Sequence, residues 1–387
     1  MSKQQAGTAT EAPAAAFTWD QVLGWRLRRQ FLQQRAPSSD VLAVAAKIGG
    51  VQAQVMSSAE LALWARVDDL DRRAVQTALW EDRTLVKSWA MRGTLHLFPS
   101  DDYPIWQGAA SGRRHYYTEA YLKYFALSRD ELDLVLDTIA EVLKGQMLSR
   151  EELGAAVAER TGVPRFAESV QGSWGSILKP PAYLGNLCFA PSVDNKVRFT
   201  NPAEWLPRWQ PVEPTTAKRE VTRRYLSAYG PATRDELRLW WGVTARDADT
   251  MLRLLDGEIA RVEIEGVPAL ALAKDLAEIE ASGIERSIKL LPAFDQYVIA
   301  APRDSTRVIP IGTKKLIYRN QGWLSPVLLI NGQIAGVWKH ERKGAKLLVQ
   351  VAPFVKIPAW AKKGAEREAE RLATFLGGSL ELTWVGS

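Results

Sequence analysis

Two glutamines in a short alternating segment are the residues of this chain whose types and spacing best suit chemistry. The segment Val51-Gln52-Ala53-Gln54-Val55 follows a Gly-Gly pair that ends a predicted helix, and it precedes a helix-capping pattern. Side chains two residues apart point the same way in an extended chain, so Gln52 and Gln54 are predicted to share one face. The apolar residues of the segment would anchor the other face in a core. Two carboxamides would then be presented side by side.

A pair of carboxamides can donate and accept hydrogen bonds without charge, but it cannot abstract a proton strongly. It therefore suits a reaction whose leaving group is already activated, such as loss of a cationic N7-alkylated purine from deoxyribose. There the protein need only position water and stabilise an oxocarbenium-like centre. On these residues alone, two surface or capping glutamines in an ordinary loop are the favoured interpretation, because Gln-x-Gln is a weak motif.

The composition excludes several classes of protein. The chain has 387 residues, of which 47% are hydrophobic and 24% charged, so most of it is predicted to be globular rather than disordered. No stretch approaches the roughly 20 consecutive apolar residues that span a bilayer. Fifty Lys and Arg residues against 44 Asp and Glu residues give a formal charge of +6, which suits a polyanionic partner.

Cofactor chemistry has no support in the sequence. There is no P-loop and no dinucleotide-binding fingerprint after a strand. The three histidines, His96, His115 and His340, have no ligand spacing, and the single cysteine, Cys188, is predicted to be inert in an apolar strand. We therefore expect no metal and no cofactor. A lone cysteine also fits a reducing, cytoplasmic compartment.

The elements that must position the glutamines are predicted to form an α+β fold. In the first unit, residues 17–127, helices such as 19–35 and 59–67 precede a strand over 84–89, a turn at Arg92-Gly93 and a strand over 94–98. Helix, strand, turn and strand in that order are typical of a winged helix, which is a helix-turn-helix with a β hairpin. A helical protein with incidental hairpins is the plainer alternative.

The same pattern is predicted to recur along the chain, after a disordered tail over 1–16. A second winged-helix-like unit spans 128–206 and a third spans 215–283. The last unit, 284–387, is predicted to be β-rich, with short strands such as 298–300, an Asn-Gly hairpin turn and one long helix over Ala359–Leu376.

With these units in place, several motifs resemble the AlkZ/YcaQ family of winged-helix DNA glycosylases. The resemblance spans roughly residues 19–385, and its order and spacing are more specific than any one motif. It rests on Gly49-Gly50-Val51-Gln52-Ala53-Gln54, Ser88-Trp89-Ala90-Met91-Arg92-Gly93-Thr94-Leu95-His96-Leu97, Leu290-Leu291-Pro292-Ala293-Phe294-Asp295 and Asn331-Gly332-Gln333-Ile334-Ala335-Gly336-Val337-Trp338.

This resemblance implies tandem winged helices around a basic DNA channel and excision of bulky N7-alkylpurines, including interstrand crosslinks. The family's catalytic motif is Gln-apolar-Gln in the AlkZ branch and Gln-apolar-Asp in the YcaQ branch, so Gln52 and Gln54 match the first. Because Gln54 lacks the full charge of an Asp, release of monoadducts is a firmer expectation than broad crosslink turnover. The enzyme would be monofunctional and leave an abasic site. Some relatives give self-resistance to DNA-alkylating natural products, which is a further possible role here.

A hairpin with a basic tip is the main candidate for DNA contacts outside the motif. Its cations could contact phosphates or enter a groove, although a solvated hairpin end is the commoner meaning of such a turn. Trp338 could stack against a distorted duplex or pack in the core. The cationic residues assigned to DNA binding are Lys339, Arg342, Lys343 and Lys346, together with Arg92 as a phosphate contact.

Two residues are assigned only as neighbours of the site. His96 could face the channel near Gln52, and Asp295 is a turn former or a residue that orients the site, with the turn favoured. The expected partner is double-stranded DNA carrying bulky N7-alkylpurine lesions, bound by a monomer associated with the nucleoid and with no membrane. The alternative functions are a non-catalytic winged-helix transcriptional regulator and an inactive lesion binder.

Overall fold

The computed structural model describes residues 13–302 and 305–386 as an assembly of helices and small sheets. The first half of the chain contains the helices α1 (Trp19–Arg29), α2 (Val41–Lys47), α3 (Met56–Trp64), α4 (Ala74–Trp80), α5 (Tyr103–Ala110), α6 (Glu119–Phe125), α7 (Arg129–Val142), α8 (Arg150–Thr161), α9 (Arg165–Gln171) and α10 (Lys179–Tyr183). The second half contains α11 (Pro202–Trp205), α12 (Pro214–Tyr229), α13 (Arg234–Trp241), α14 (Ala245–Arg253), α15 (Leu276–Glu280), α16 (Gln296–Ala300), α17 (Lys314–Ile317) and α18 (Ala359–Leu376).

The strands are short and most of them form hairpins. They are β1 (Ala15–Phe17), β2 (Val51–Gln52), β3 (Leu85–Trp89), β4 (Leu95–Pro99), β5 (Leu148–Ser149), β6 (Cys188–Val193), β7 (Lys196–Thr200), β8 (Ile259–Ile264), β9 (Val267–Leu272), β10 (Ile288–Leu291), β11 (Val327–Ile330), β12 (Gln333–Lys343), β13 (Lys346–Pro353) and β14 (Ser379–Trp384). The predicted α+β class is confirmed.

Two of the three small sheets share one strand order, and the third is formed by β1, β8 and β9. In the first, β2 lies beside β4, and β4 beside β3; in the second, β5, β7 and β6 are arranged in the same way. In the first unit the chain order is helix, short strand, two helices and hairpin, and the second unit follows it with a third helix, α10, before its hairpin. In the third unit, a single bridge from Ala232 to Leu270 takes the place of the short first strand of the other two. This repeated order is the one expected of winged-helix units.

Local signals set several helix boundaries. Ser149 and Glu152 form a capping box at the start of α8, with each side chain bonding the other's backbone N–H. The box predicted at Ser57 and Glu60 is wrong, because α3 begins earlier, after Val55, without a side-chain cap. The helix predicted over 19–35 ends at Arg29, since the chain turns sharply where Phe31 has a φ of 55°.

Part of the predicted tail is ordered. Ala15 and Ala16, which the sequence placed in a disordered segment, belong to β1 and pair in parallel with Val262 and Glu263 of β8. The reason is that Phe17 packs into a small core with the third hairpin and anchors the residues before it. Residues 1–12 of the predicted tail lie outside the described residues.

The C-terminal part is built on a five-stranded sheet with α18 packed across it. Its strands follow the order β10 to β14, antiparallel except for β13 and β14. Asn331 and Gly332 form the predicted hairpin turn, with φ values of 51° and 81°. The strand predicted over 298–300 is wrong, because these residues lie in α16, which Asp295 caps.

The core of this sheet is continuous with that of the first unit. Leu27 and Val44 from the first unit join Leu290 and Val327 from the sheet in one buried cluster. The division predicted at residue 284 therefore separates residues that share a core. Among the described residues, no helix is long and apolar enough to cross a membrane.

Candidate active site and nucleic-acid interface

The backbone around Gln52 is held from two sides. Gly49 and Gly50 have φ values of 76° and 84°, which let the chain leave α2 and enter β2 at once. A Cβ on Gly50 would lie 2.3 Å from the Phe98 ring, so only glycine fits there. The carbonyl of Gly50 accepts a hydrogen bond from Gln296 Nε2 at 2.8 Å, and the carbonyl of Ile48 accepts one from the Tyr229 hydroxyl at 2.6 Å.

The two glutamines occupy different environments. Gln52 lies in β2, only 6% exposed, directly opposite His96 of β4. The strand ends at Gln52, and Gln54 lies exposed in the bend that follows. The Oε1 atom of Gln52 accepts a hydrogen bond from Arg92 Nη2 at 3.0 Å, whereas that of Gln54 accepts from the Leu95 backbone N–H at a long 3.4 Å. One carboxamide is therefore firmly held, and the other is loosely held at the surface.

Arg92 lies on the turn between β3 and β4, as predicted, but its guanidinium is engaged with protein groups. Besides Gln52, it donates to the carbonyl of Trp240 at the end of α13. The side chain is partly buried, and it also lines a groove described below. A phosphate contact by Arg92 is not tested by these contacts and stays a prediction.

His96 lies beside Gln52, as predicted, and it is completely buried. Burial, together with the charge of Arg92, lowers the pKa of the imidazole to about 3. The ring is therefore neutral near pH 7, and Nδ1 donates to the carbonyl of Thr94 at 3.0 Å. Within the described residues, Nε2 has no hydrogen-bond partner.

Asp295 is buried, where it caps a helix and forms an ion pair. Its Oδ1 accepts from the Tyr297 N–H at 2.9 Å and so caps α16. Its two oxygens also accept from the two Nη atoms of Arg66 at 2.7 and 2.8 Å, in an ion pair with no exposed surface on either side chain. Because Gln296 follows Asp295 and bonds the carbonyl of Gly50, this pair anchors the segment that leads into β2.

The basic hairpin is present, but several of its charges are partnered. Its tip joins β12 to β13, and all four predicted cations are exposed. Arg342 donates to the carbonyls of Leu376 and Gly377 at the end of α18. Lys346 pairs with Glu381 at 3.0 Å, and Lys343 lies 3.7 Å from Glu341. The acidic partners reduce the net charge that the tip presents.

Trp338 does not present its ring to solvent. It is 3% exposed, and its indole N–H donates to the carbonyl of Leu291 at 2.8 Å. The stacking role considered for it is therefore corrected, since a ring packed under the sheet cannot reach a base. Trp338 belongs to the same buried cluster as Ile334 and Ala335 of β12.

A cation-rich groove that the sequence did not predict runs beside the Arg92 turn. Its volume is about 990 Å³, and its lining residues come from all three of the predicted winged-helix-like units. The charged residues and histidine that line it are Arg92, Arg113, Arg114, His115, Lys179, Lys218, Arg238 and Asp247. The run Arg113-Arg114-His115 could have drawn notice in the sequence, but nothing local indicated that it meets residues more than 120 positions away.

Burial, and for His115 also the neighbouring positive charges, shifts the titration of two side chains in the groove. Burial, then the charges of Arg113 and Lys179, lowers the pKa of His115. Burial also lowers the pKa of Lys179. The guanidinium of Arg113 lies over the rings of Trp241 and Tyr183, with 5.3 and 5.4 Å to the two centroids, and donates to the Trp241 carbonyl at 2.8 Å. A polyanion would relieve this repulsion.

Metal chemistry has no site among residues 13–302 and 305–386, where no group of three or more His, Cys, Asp or Glu residues could hold an ion. Cys188 is buried in β6, and burial raises the pKa of its thiol. The predicted inert cysteine is consistent with this environment.

Helical units with hairpins, placed around a cation-rich groove, define a class of proteins that bind nucleic acid. Comparison with known proteins makes the class more specific. The model of the DNA glycosylase AlkZ-like family matches residues 45–375. The chain therefore belongs to the AlkZ-like DNA glycosylase family, as the sequence motifs indicated.

Two comparisons support this assignment over nearly the whole chain. The sequence is 32% identical over 367 residues to an interstrand DNA cross-link repair glycosylase from Streptomyces sahachiroi, covering 93% of this chain and 97% of that protein. The fold matches the solved structure of the Streptomyces sahachiroi DNA glycosylase AlkZ with a TM-score of 0.86 and 31% identity, covering 95% of this chain and 99% of that one.

Proposed function

We propose that this protein is a monofunctional DNA glycosylase that hydrolyses the N-glycosidic bond of N7-alkylated purines and leaves an abasic site. The observation that carries the proposal is that Arg92, which lines the cation-rich groove, bonds Gln52 of the Gln52 and Gln54 motif, and that the motif itself holds no acid or base of ordinary strength. N7 alkylation gives the purine a positive charge, so it departs as a neutral base. Such a substrate needs no proton from the protein.

The groups next to the glutamines are consistent with a reaction that needs no proton from the protein. Because its pKa is lowered to about 3, His96 is a neutral imidazole rather than an imidazolium at neutral pH and is too weak an acid to protonate a leaving base. Its buried ring cannot reach a leaving base without rearrangement. The charge of Arg92 opposes an oxocarbenium ion placed next to it. Stabilisation of that ion must therefore come from the DNA phosphates and from oriented dipoles rather than from a protein anion in this pair.

The two glutamines have different tasks in this proposal. Arg92 donates a hydrogen bond to Oε1 of Gln52. The amide N–H groups of Gln52 therefore face away from the guanidinium and can donate to an oxygen of the substrate. Gln54 is exposed and loosely bonded, so its carboxamide is free to turn and orient the attacking water. Positioning of this kind lowers the activation barrier, because the reacting groups are held close together and the dipoles are already oriented before the reaction.

The groove supplies the binding surface for duplex DNA. Its cations come from three units of one chain, so a monomer can hold a duplex without a partner subunit. The logarithm of the binding constant should fall linearly with the logarithm of salt concentration. Each DNA phosphate that a Lys or Arg of the groove neutralises contributes about −0.9 to that slope. The exposed Lys339 on the hairpin would add a contact outside the groove.

Interstrand crosslinks are included in the proposed substrate class. The relative named for crosslink repair is similar over nearly its whole length, and a lesion tied to the opposite strand cannot be flipped into a pocket. An exposed Gln54 suits such a lesion, since water can be oriented at the surface. Protection of cells against a DNA-alkylating natural product is the biological role that follows from this activity.

The test uses three duplexes of one sequence, carrying N7-methylguanine, a bulky N7-alkylguanine or an N7–N7 crosslink. Release of the alkylated base and alkaline cleavage at the abasic site are measured under single-turnover conditions. We expect release from both monoadducts, with slower unhooking of the crosslink, and no strand cleavage before alkali. Binding without release from any of the three would favour the lesion binder. Preference for an undamaged operator over all three would favour the regulator.

A further inference from the structure

We propose that Arg92 is a positioning residue that fixes the Gln52 carboxamide and ties it to the third winged-helix-like unit, rather than a phosphate contact. The proposal rests on the proposed function only for its kinetic readout. Its structural claim concerns one guanidinium that bridges two protein carbonyl groups: Oε1 of Gln52, at 3.0 Å, and the carbonyl of Trp240.

The second acceptor has a physical reason to attract a cation. Trp240 lies in the last turn of α13, where backbone carbonyls lack partners within the helix and carry the negative end of its dipole. The guanidinium is planar, so one N–H group can point at this carbonyl while another points at Gln52. Gln52 thus takes its orientation from an element about 190 positions away in sequence.

The backbone is shaped to make this reach possible. Arg92 has a φ of 54° and Gly93 a φ of 69°, so both adopt the left-handed region. A non-glycine residue in that region carries strain and persists where its surroundings over-determine it. Gly242, the left-handed residue that ends α13, packs directly on the turn, since a Cβ there would lie 2.9 Å from the Arg92 Cα. Turn and helix end therefore fit each other closely.

The arrangement determines which end of the amide Gln52 shows to a ligand. With Oε1 held by a cation, the amide cannot rotate its N–H groups toward Arg92 without losing a charge-assisted hydrogen bond. The N–H end consequently faces away from Arg92. His96, opposite Gln52 and neutral, adds no competing charge.

Kinetics separate this role from direct phosphate binding. We expect Arg92→Ala to lower the single-turnover rate of base release by about 10- to 100-fold, because small misplacements of catalytic groups have effects of this size. Affinity for the duplex should change by less than about twofold, with the salt dependence intact. Arg92→Lys should not rescue the rate, since one ammonium cannot reproduce the planar two-pronged geometry. A phosphate contact predicts the opposite: weaker binding, a shallower salt slope and rescue by lysine.

Double variants and a matched control sharpen the test. In the Gln52→Ala background, adding Arg92→Ala should change the rate by less than about twofold, because its target is already gone. Lys218→Ala, which removes another cation from the groove, should instead weaken binding and reduce the salt slope by about 0.9. Multiplicative losses in the Arg92/Gln52 double variant would overturn the proposal.

One readout does not depend on activity. The side-chain amide ¹⁵N–¹H resonances of Gln52, identified by their loss in Gln52→Ala, should shift and exchange faster with solvent in Arg92→Lys and remain unchanged in Lys218→Ala. Unchanged Gln52 resonances in Arg92→Lys would refute the positioning role even if the protein released no base. The lysine variant serves here because it keeps the charge should Arg92→Ala fail to fold.

Discussion

The buried ion pair between Arg66 and Asp295 allows a quantitative prediction about what anchors the site. Both side chains are fully buried, and both Asp295 oxygens bond the guanidinium. Asp295→Asn keeps the shape and the α16 cap but leaves the Arg66 charge buried without its counter-charge. Removal of one partner from a buried pair typically costs about 3–5 kcal/mol. We expect the free energy of unfolding to fall by about that amount, measured by urea denaturation with tryptophan fluorescence and circular dichroism.

Two further variants separate the sources of that loss. Asp295→Ala should lose about 1 kcal/mol more than Asp295→Asn, because alanine cannot cap the helix. Adding Arg66→Met to Asp295→Asn should recover stability rather than lose more, since no uncompensated charge remains. Glu141→Gln, which breaks the exposed pair with Arg160, should have almost no effect. A loss below about 1 kcal/mol in Asp295→Asn, or additive losses in the double variant, would refute the reasoning.

Three further predictions concern the groups around the glutamines. Gly50→Ala should destabilise the protein by about 2 kcal/mol or more, because the new Cβ would collide with Phe98 beside β2. The same displacement should lower the rate of base release. Urea denaturation and single-turnover kinetics measure the two effects. Since the pKa of His96 is lowered in the folded state to about 3, the free energy of unfolding should fall as pH drops below about 6.5, by at most about 1.4 kcal/mol per pH unit. His96→Asn should flatten that dependence, and equal slopes would contradict the prediction. Lys339→Ala should weaken duplex binding and reduce the salt slope by about 0.9, as titrations from low to high salt would measure.

Elements governed by local chemistry were predictable from the sequence. The Asn331-Gly332 turn and the long helix Ala359–Leu376 both agree with the structure. In each, the residue types that permit the turn or end the helix lie within a few positions. The Ser57–Glu60 capping pattern failed, because α3 begins at Met56 and both residues therefore lie inside the helix rather than at its cap.

The contacts that give the site its geometry could not be predicted. Gln52 and Gln54 were found by type and spacing, but the cation that holds Gln52 lies 40 positions away and takes its own place from α13. The pairing of Arg66 with Asp295 spans 229 positions, and no local pattern distinguishes a buried pair from two surface charges. The groove likewise exists only where three separately predicted units meet.

The central claim is that Gln52 and Gln54 perform the chemistry while other residues hold the DNA. The most direct measurement is single-turnover release of N7-alkylguanine from a duplex by the wild type, Gln52→Ala and Gln54→Ala, with duplex affinity measured alongside and Lys218→Ala as a binding control. We predict that each glutamine variant loses at least about tenfold in rate while binding the duplex as the wild type does, and that saturating Lys218→Ala with DNA restores its rate. Undiminished release by both glutamine variants would contradict the account.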